Sequence, residues 1–329
     1  MMAGSVSIAG TGERIGRGLP IEAAVHEVVR DALAGAGLSL SAIDMVVTVG
    51  SDVLDGGMVG TRSGIAGAYG RELLTVPSSA GHAFATAVSM LDSGQAGTVL
   101  LAGWGEGTKF AALDGRIIQA DPFYARPLGA DASAMAALQA QRLLADGRMS
   151  LERLTEYGAA MRMRADLADD KTAGMQEWLA PNWSDGACAL VLAAGSGAVR
   201  VVDFGTAFRP YCPDPADLDP AVWVREAVER IGHTFDEDLA AVEAGGPSAL
   251  CEVAALAPIL DSAGWRPLDP RVNATGGGAM AFFGPATGLR HIIAVADALA
   301  DTSGSGIAID LAGPIGQATT VVALQGAKQ

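Results

Sequence analysis

Two kinds of apolar run alternate along the chain. One kind is short and nearly uniform: "VSIAG" at 6–10, "IDMVVTVG" at 43–50, "GTVLLAG" at 97–103, "LAAVEAGG" at 239–246 and "IAIDLAG" at 307–313. Runs with so little polar alternation predict strands covered on both faces. The other kind places apolar residues three and four apart, as in "PIEAAVHEVVRDALAGAG" at 20–37 and "DPAVWVREAVERIG" at 219–232. That spacing predicts amphipathic helices. Pro20 opens the first of them and Gly37 follows its end, which suits the two residue types. "VPSSAGHAFATAVSML" at 76–91 is a third helix with serines near its start, and "LRHIIAVADALA" at 289–300 is a fourth.

The order repeats. Residues 25–33 lie against 224–232, and 97–103 against 307–313, so half of the chain is duplicated at an offset of about two hundred residues. The turn-like "GSGAVR" at 195–200 marks the boundary. It gives a first half over 1–197 and a second over 198–329. Residues from about 104 to 181 have no counterpart in the second half. They include two helical segments, "ADASAMAALQAQRLLADG" and "LERLTEYGAAMRMRADL". An insertion of this kind commonly covers a substrate. Strand–helix alternation places the chain in the α/β class, with helices on both faces of its sheets.

Composition narrows the partners. Half of the 329 residues are hydrophobic but only 5% are aromatic, so the core is built from Ala, Val, Leu and Ile. The formal net charge is −15 and no basic cluster stands out. Nucleic acid and anionic membrane are therefore poor partners. The three cysteines, Cys188, Cys212 and Cys251, are too few and too far apart for a disulfide framework or a cysteine-rich zinc site. There is no signal-peptide pattern and no apolar stretch of membrane-spanning length. These features predict a cytoplasmic protein.

One stretch is rich in glycine. "NATGGGAMAFFGPATG", residues 273–288, holds five glycines and two adjacent phenylalanines. Between Asn273 and Thr287 it carries no group able to hold a proton or a charge. Taken with "WSDGACALVLA" at 183–193, "LTEYGAAMRMRA" at 154–165 and "IDLAGPIGQATTVVAL" at 309–324, it resembles the thiolase superfamily. The loop is similar to that family's V-N-x-x-G-G segment, which continues into G-H-P and ends in A-T-G. "SDVLDGG" and the short first half are similar to the sterol-carrier-type members. The resemblance implies an αβαβα layered fold of two duplicated halves, dimers, and acyl-CoA substrates. It implies no covalently bound cofactor, with a coenzyme A thioester as ligand. In the family, a Cys at a helix N-terminus takes the acyl group and the G-H-P His activates it. A second His serves the oxyanion hole, and a second Cys in the final hairpin moves the α-proton.

Carried onto this chain, that catalytic set is missing. Ser78 stands where the nucleophilic Cys belongs. A serine hydroxyl is far less acidic than a thiol and needs a well-placed base. Ser78 or Ser79 also suits a helix cap. His82, one turn after Ser78, is the nearby candidate base and also a candidate packing residue. The G-H-P histidine falls on Phe282 or Phe283, in a loop one residue shorter than the family's. The second histidine falls on Ala244, beside Glu243, and an ionised carboxylate cannot donate to an oxyanion. The final-hairpin Cys falls on Asp310, which is a general base if burial raises its pKa, and otherwise a polar residue near a sheet end. Cys188 and Cys251 read as buried hydrophobes. His26, His233 and His291 lie in or at the ends of helices away from the expected site. Asn273, Gly276, Gly277, Thr287 and Gly288 persist and shape a substrate pocket. Arg162 and Arg164, with Lys109 and Arg126, are candidates to meet CoA phosphates.

Three functions are compatible with this set. The leading expectation is a structural or regulatory subunit that pairs with a catalytically intact thiolase subunit. In that reading it is inactive alone and part of an acyltransferase in the complex. A small zinc-ribbon/OB-fold protein is another possible partner, and a homodimer the alternative assembly. The second function is a divergent acyltransferase or hydrolase using Ser78 with His82 or Asp310. The third is an acyl-CoA-binding protein without chemistry.

Overall fold

The computed structural model describes residues 6–50, 57–77, 79–112, 121–165, 181–209, 218–232, 239–264, 266–278 and 281–327. The first half runs β1 (Val6–Gly16), α1 (Ile21–Gly35), β2 (Met45–Val49), α2 (Val59–Ser63), β3 (Glu72–Val76), α3 (Ala80–Asp92), β4 (Thr98–Glu106) and β5 (Asp185–Ala194). Between β4 and β5 lie α4 (Gly107–Ala112), α5 (Ala132–Ala145) and α6 (Leu151–Arg164). The second half runs β6 (Val199–Phe208), α7 (Pro220–Glu229), β7 (Leu239–Gly245), α8 (Ala249–Ala263), α9 (Thr287–Leu299), β8 (Ser305–Ala312) and β9 (Ala318–Gly326).

The strands follow the order β3-β2-β4-β5-β1-β6-β9-β8-β7. Two half-sheets are joined where residues 6–8 of β1 pair with 199–201 of β6. Pairing is parallel for β2 with β3 and β4, and for β7 with β8. Among the described residues the second half has no full counterpart of β3. At that edge Val272 makes a single parallel bridge to Val242 of β7. The glycine-rich loop begins where a third strand would run.

Strand residues alternate between two cores, as a period of two demands. Val46, Leu100 and Val191 face α1. Val47, Leu101 and Leu190 face the other way, onto Phe84 and Val88 of α3 and Leu289 and Ile292 of α9. Ala308, Val322 and Leu324 of the second half close that same core from the far side. Ile307, Ile309 and Val321 turn outward to Trp223 of α7 and Leu256 of α8. The layers are therefore helix, sheet, paired helices α3 and α9, sheet, helix. Met135, Leu143, Leu154 and Met161 of α5 and α6 join the outer core of the second half. A segment inserted in one half is thus packed on the other. Among the described residues no helix is long and apolar enough to cross a membrane.

Candidate functional site

The ends of α3, β7, β8 and the 273–288 loop meet in the centre of the molecule. Asp310 of β8 is buried. Its Oδ2 accepts from Ser79 Oγ at 2.7 Å and from the Gly81 N–H at 2.7 Å. Ser79 is the N-cap of α3, and its Oγ accepts from the His82 N–H at 3.2 Å. The carboxylate sits against an N-terminal turn whose partial positive charge favours an anion. Burial nevertheless raises the Asp310 pKa above the ordinary carboxylate range, against the opposing pull of Gly81, Ser79 and His291. Ser78 lies outside the described residues.

Two further carboxyls, one on β1 and one on α9, shift in the same direction. Glu13 and Asp297 are both raised, burial being the largest cause in each. A raised carboxyl binds its proton more tightly in the folded chain than in the unfolded one. Its stabilising share is therefore complete below the ordinary carboxylate pKa and is lost as pH rises through the raised value. We expect the melting temperature of wild type relative to D310N to improve as pH falls from neutrality through the raised value toward the ordinary carboxylate range. A decline relative to D310N as pH falls would contradict the direction of the shift.

The half-buried His82 ring packs toward β6, on Phe208, with centroids 4.1 Å apart, and burial holds its pKa below the ordinary value. His291 requires a correction. The sequence reading placed it away from the site, yet it lies inside it. Its Nδ1 is 3.7 Å from Glu243 Oε2, and the ring is fully buried. Its Nε2 presses against Gly245 at the end of β7 and Gly278 of the loop, where a Cβ on either glycine would overlap the ring. Neither ring nitrogen has a hydrogen-bond partner. Helical spacing carries the signal that was missed. Gly288, which packs on Asp310, and His291 are three apart and share one face of α9.

The loop is tied down from several sides. Asn273 is buried and holds φ of 46°. Its Oδ1 accepts from the Ala244 N–H at 2.6 Å and its Nδ2 donates to Tyr157 Oη at 2.6 Å. Both halves of its amide are thus spent on internal partners. The Ala244 methyl belongs to the outer core. Glu243 accepts from Thr275 N–H and Oγ1. Arg290 donates to the carbonyls of Gly277 and Thr275 at 3.0 and 2.9 Å. Gly276 lies against Met161 and Ala165 at the end of α6, and Gly277 against the Glu252 carboxylate. Arg164 gives its guanidinium to the carbonyls of Leu268, Asp269, Val272 and Asn273. It latches the loop from the insertion side. Arg162 is half-buried one turn end away, and Lys109 is paired with Glu106.

The two phenylalanines part company. Phe282 meets Trp183 edge-on, with ring centroids 5.1 Å apart, and bridges to it through the backbone. Phe283 is buried in the central core, its ring over Gly186 of β5. Asp185, beside that glycine, accepts from the Gly18, Leu19 and Thr108 N–H groups. It pins the turns that follow β1 and β4.

Cys188 and Cys251 are buried, and burial pushes both thiols well above their ordinary pKa. Neither is a reactive thiolate at neutral pH. Cys212 and His233 lie outside the described residues. Among the described residues, no group of three or more His, Cys, Asp or Glu is placed to hold a metal ion.

The layer order and topology are those of the thiolase fold. The chain is similar over nearly its whole length to solved thiolase-type structures. A monomeric SCP2-thiolase-like protein from Mycobacterium smegmatis shares 17% identity at a TM-score of 0.70, covering 98% of this chain and 78% of that one. A thiolase from Ascaris suum, in complex with coenzyme A, shares 15% at 0.71, covering 98% and 100%. Human mitochondrial 3-ketoacyl-CoA thiolase shares 14% at 0.74, covering 99% and 100%. No protein-family model matches the sequence, and no curated protein matches it.

Proposed function

We propose that this chain is a thiolase-fold subunit without Claisen chemistry of its own, acting as the structural or regulatory partner of a catalytically intact acyl-CoA thiolase. One observation carries the reading. Asp310, at the position matched to the second thiol, is spent holding the N-terminus of α3 through Ser79 and Gly81. An N–H that would steady a developing anion already serves an internal carboxylate. A second negative charge there, on an enolate or alkoxide, meets that carboxylate in a poorly screened interior. The burial of Phe283 in the sheet supports the same reading.

Coenzyme A thioesters are the ligand class, on the analogy of the Ascaris suum thiolase, with Arg162 and Arg126 as candidate phosphate contacts. A cytoplasmic setting suits the reading. The partner would meet the open edge of β3. This strand pairs on one side only, and Leu73 and Leu74 on it are 44% and 36% exposed. Open apolar edges invite strand pairing. Helix α3 and strand β4 are consumed by the chain's own core, so the edge, not those segments, is the surface left for a partner. A small zinc-ribbon/OB-fold protein is the lesser candidate.

Co-expression with an intact thiolase encoded beside it tests the proposal. Co-purification is expected, and L73K/L74K is expected to abolish it. A stable homodimer that never associates with such a thiolase would sink the partner role. The Ser79–Asp310 bond supports a second reading, acyl transfer or hydrolysis from a serine with Asp310 as base. Incubation with acyl-CoAs and intact-mass measurement separates the two. No adduct and no CoA release are expected; an acyl adduct lost in S78A or in S79A favours the enzyme. Binding without reaction or partner would leave an acyl-CoA-binding protein.

A further inference from the structure

The seam between the insertion and the second half holds a cavity of about 440 Å³ that shares no lining residue with the Asp310 site. It is bounded by the end of α5, the turn into α6, the start of α7 and the middle of α8. Its floor is apolar, made by Leu143, Met149, Val253 and Ala254, all buried. Its rim carries Arg148, Arg153 and Arg225.

The arginines are not equivalent. Arg148 is paired with Asp219, which also caps α7 by accepting from the Ala221 N–H at 3.0 Å. That pair is a fixed, neutral wall. Arg153 and Arg225 have no side-chain partner among the described residues. Asp261 is the one other carboxylate on the lining and is exposed. Two free guanidiniums against one carboxylate leave a local positive charge on a chain whose net charge is −15. The cavity offers two guanidinium forks above an apolar floor.

We propose that this cavity binds an amphipathic monocarboxylate, its head held by Arg153 and Arg225 and its apolar body lying on Leu143, Met149, Val253 and Ala254. The guanidinium fork matches a carboxylate in shape. Asp261 on the lining leaves a net charge of one to be matched, so the site selects a monoanion over a phosphate ester. The volume lies within the usual range for small-molecule sites and admits the body of a medium-chain acid. A ligand so placed bridges helices of the insertion to helices of the second half, and fastens the segment that carries Arg164 and Tyr157 to the body beneath it.

Calorimetry with decanoate, decanol and methyl decanoate tests the assignment on the full chain. Decanoate is expected to bind, and the two neutral compounds to bind about tenfold more weakly or worse. R153Q/R225Q is expected to weaken decanoate by a similar factor. R142Q, whose parent side chain pairs with Asp146 on α5, is expected to leave it unchanged. All three arginines are surface residues, and circular dichroism of the variants confirms that they fold. Hydrogen exchange should slow in 143–153 and 253–261 when decanoate is present. Failure of wild type to bind decanoate would overturn the proposal. So would equal affinity for decanol, or undiminished binding by R153Q/R225Q.

Discussion

Alanine at Gly105 is expected to prevent the chain from folding, whereas alanine at Gly186 is expected to cost less and to be relieved by a smaller residue at 283. The two glycines face each other across β4 and β5. Both are covered by Phe283, but by different parts of it. A methyl on Gly105 would overlap the Phe283 carbonyl oxygen, which no side-chain change can move. That backbone is held by the Phe283 N–H donating to Thr287 Oγ1 at 3.0 Å, and by Phe282 donating to Asn182 and accepting from Ser184. Breaking that ladder puts G105A beyond ~3 kcal/mol of destabilisation, the upper end of overpacking costs. A methyl on Gly186 would instead lie 2.6 Å from the Phe283 ring, and a ring can shift. G186A should cost ~1–3 kcal/mol. F283L opens space above Gly186, so G186A/F283L should be more stable than the sum of the single changes by ~1–2 kcal/mol. Urea unfolding of the four proteins measures this coupling. Strict additivity would mean that Phe283 is not seated on Gly186. F283L should give no comparable relief to G105A.

That cycle bears on function because it separates two uses of the loop. Where a loop presents a catalytic group, its side chain must point into the site. Here residue 283 points into the sheet, and its backbone is part of the packing. The "ATG" ending persists for a local reason: Thr287 Oγ1 accepts from the Phe283 N–H and donates to the Gly284 carbonyl. Gly288 leaves room for Asp310.

The layered fold was legible because apolar runs with periods of two and of three to four carry most of it. β4 and β8 announce themselves by uniform apolarity, α1 and α7 by spacing. β3 was invisible: "ELLTV" is solvent-exposed over most of its length, so no burial pattern marks it. β1 runs to Gly16 through the polar "TGERIG", paired throughout with β5, and its outer half carries no apolar signal either. The site was legible in part. Asp310 and Asn273 could be singled out from motifs, but their partners could not, since Ser79 and Asp310 are 231 residues apart and Asn273 and Tyr157 are 116 apart. Such contacts depend on which strands are neighbours, and the duplicated order shows this only once the sheet is assembled. His291 was misplaced because a histidine in an apolar helix resembles a core residue. Its role depends on two glycines in other segments that bring backbone up to the ring.

His291→Leu is expected to stabilise the protein. The imidazole is fully buried, and neither of its nitrogens finds a hydrogen bond. The nearest carboxylate oxygen, on Glu243, lies 3.7 Å away and is already engaged by Thr275. Leaving a buried donor and acceptor unmade costs ~1–3 kcal/mol, whereas an apolar group of similar size has no such cost. Leucine also suits a helix interior better than histidine. H291L should therefore gain ~1–2 kcal/mol, which thermal and urea unfolding would register together. The opposite sign has a definite meaning. A loss of ~3–5 kcal/mol would mean that the ring's contact with Glu243 is part of a buried polar network that leucine leaves unpaired. The measurement thus decides between a polar network that joins β7 to α9 and a histidine kept against its folding cost. The second outcome would direct attention to His291 as the group at this site worth testing for a role beyond the fold. The position sits one helical turn from Gly288, beside Gly245 of β7 and Gly278 of the loop.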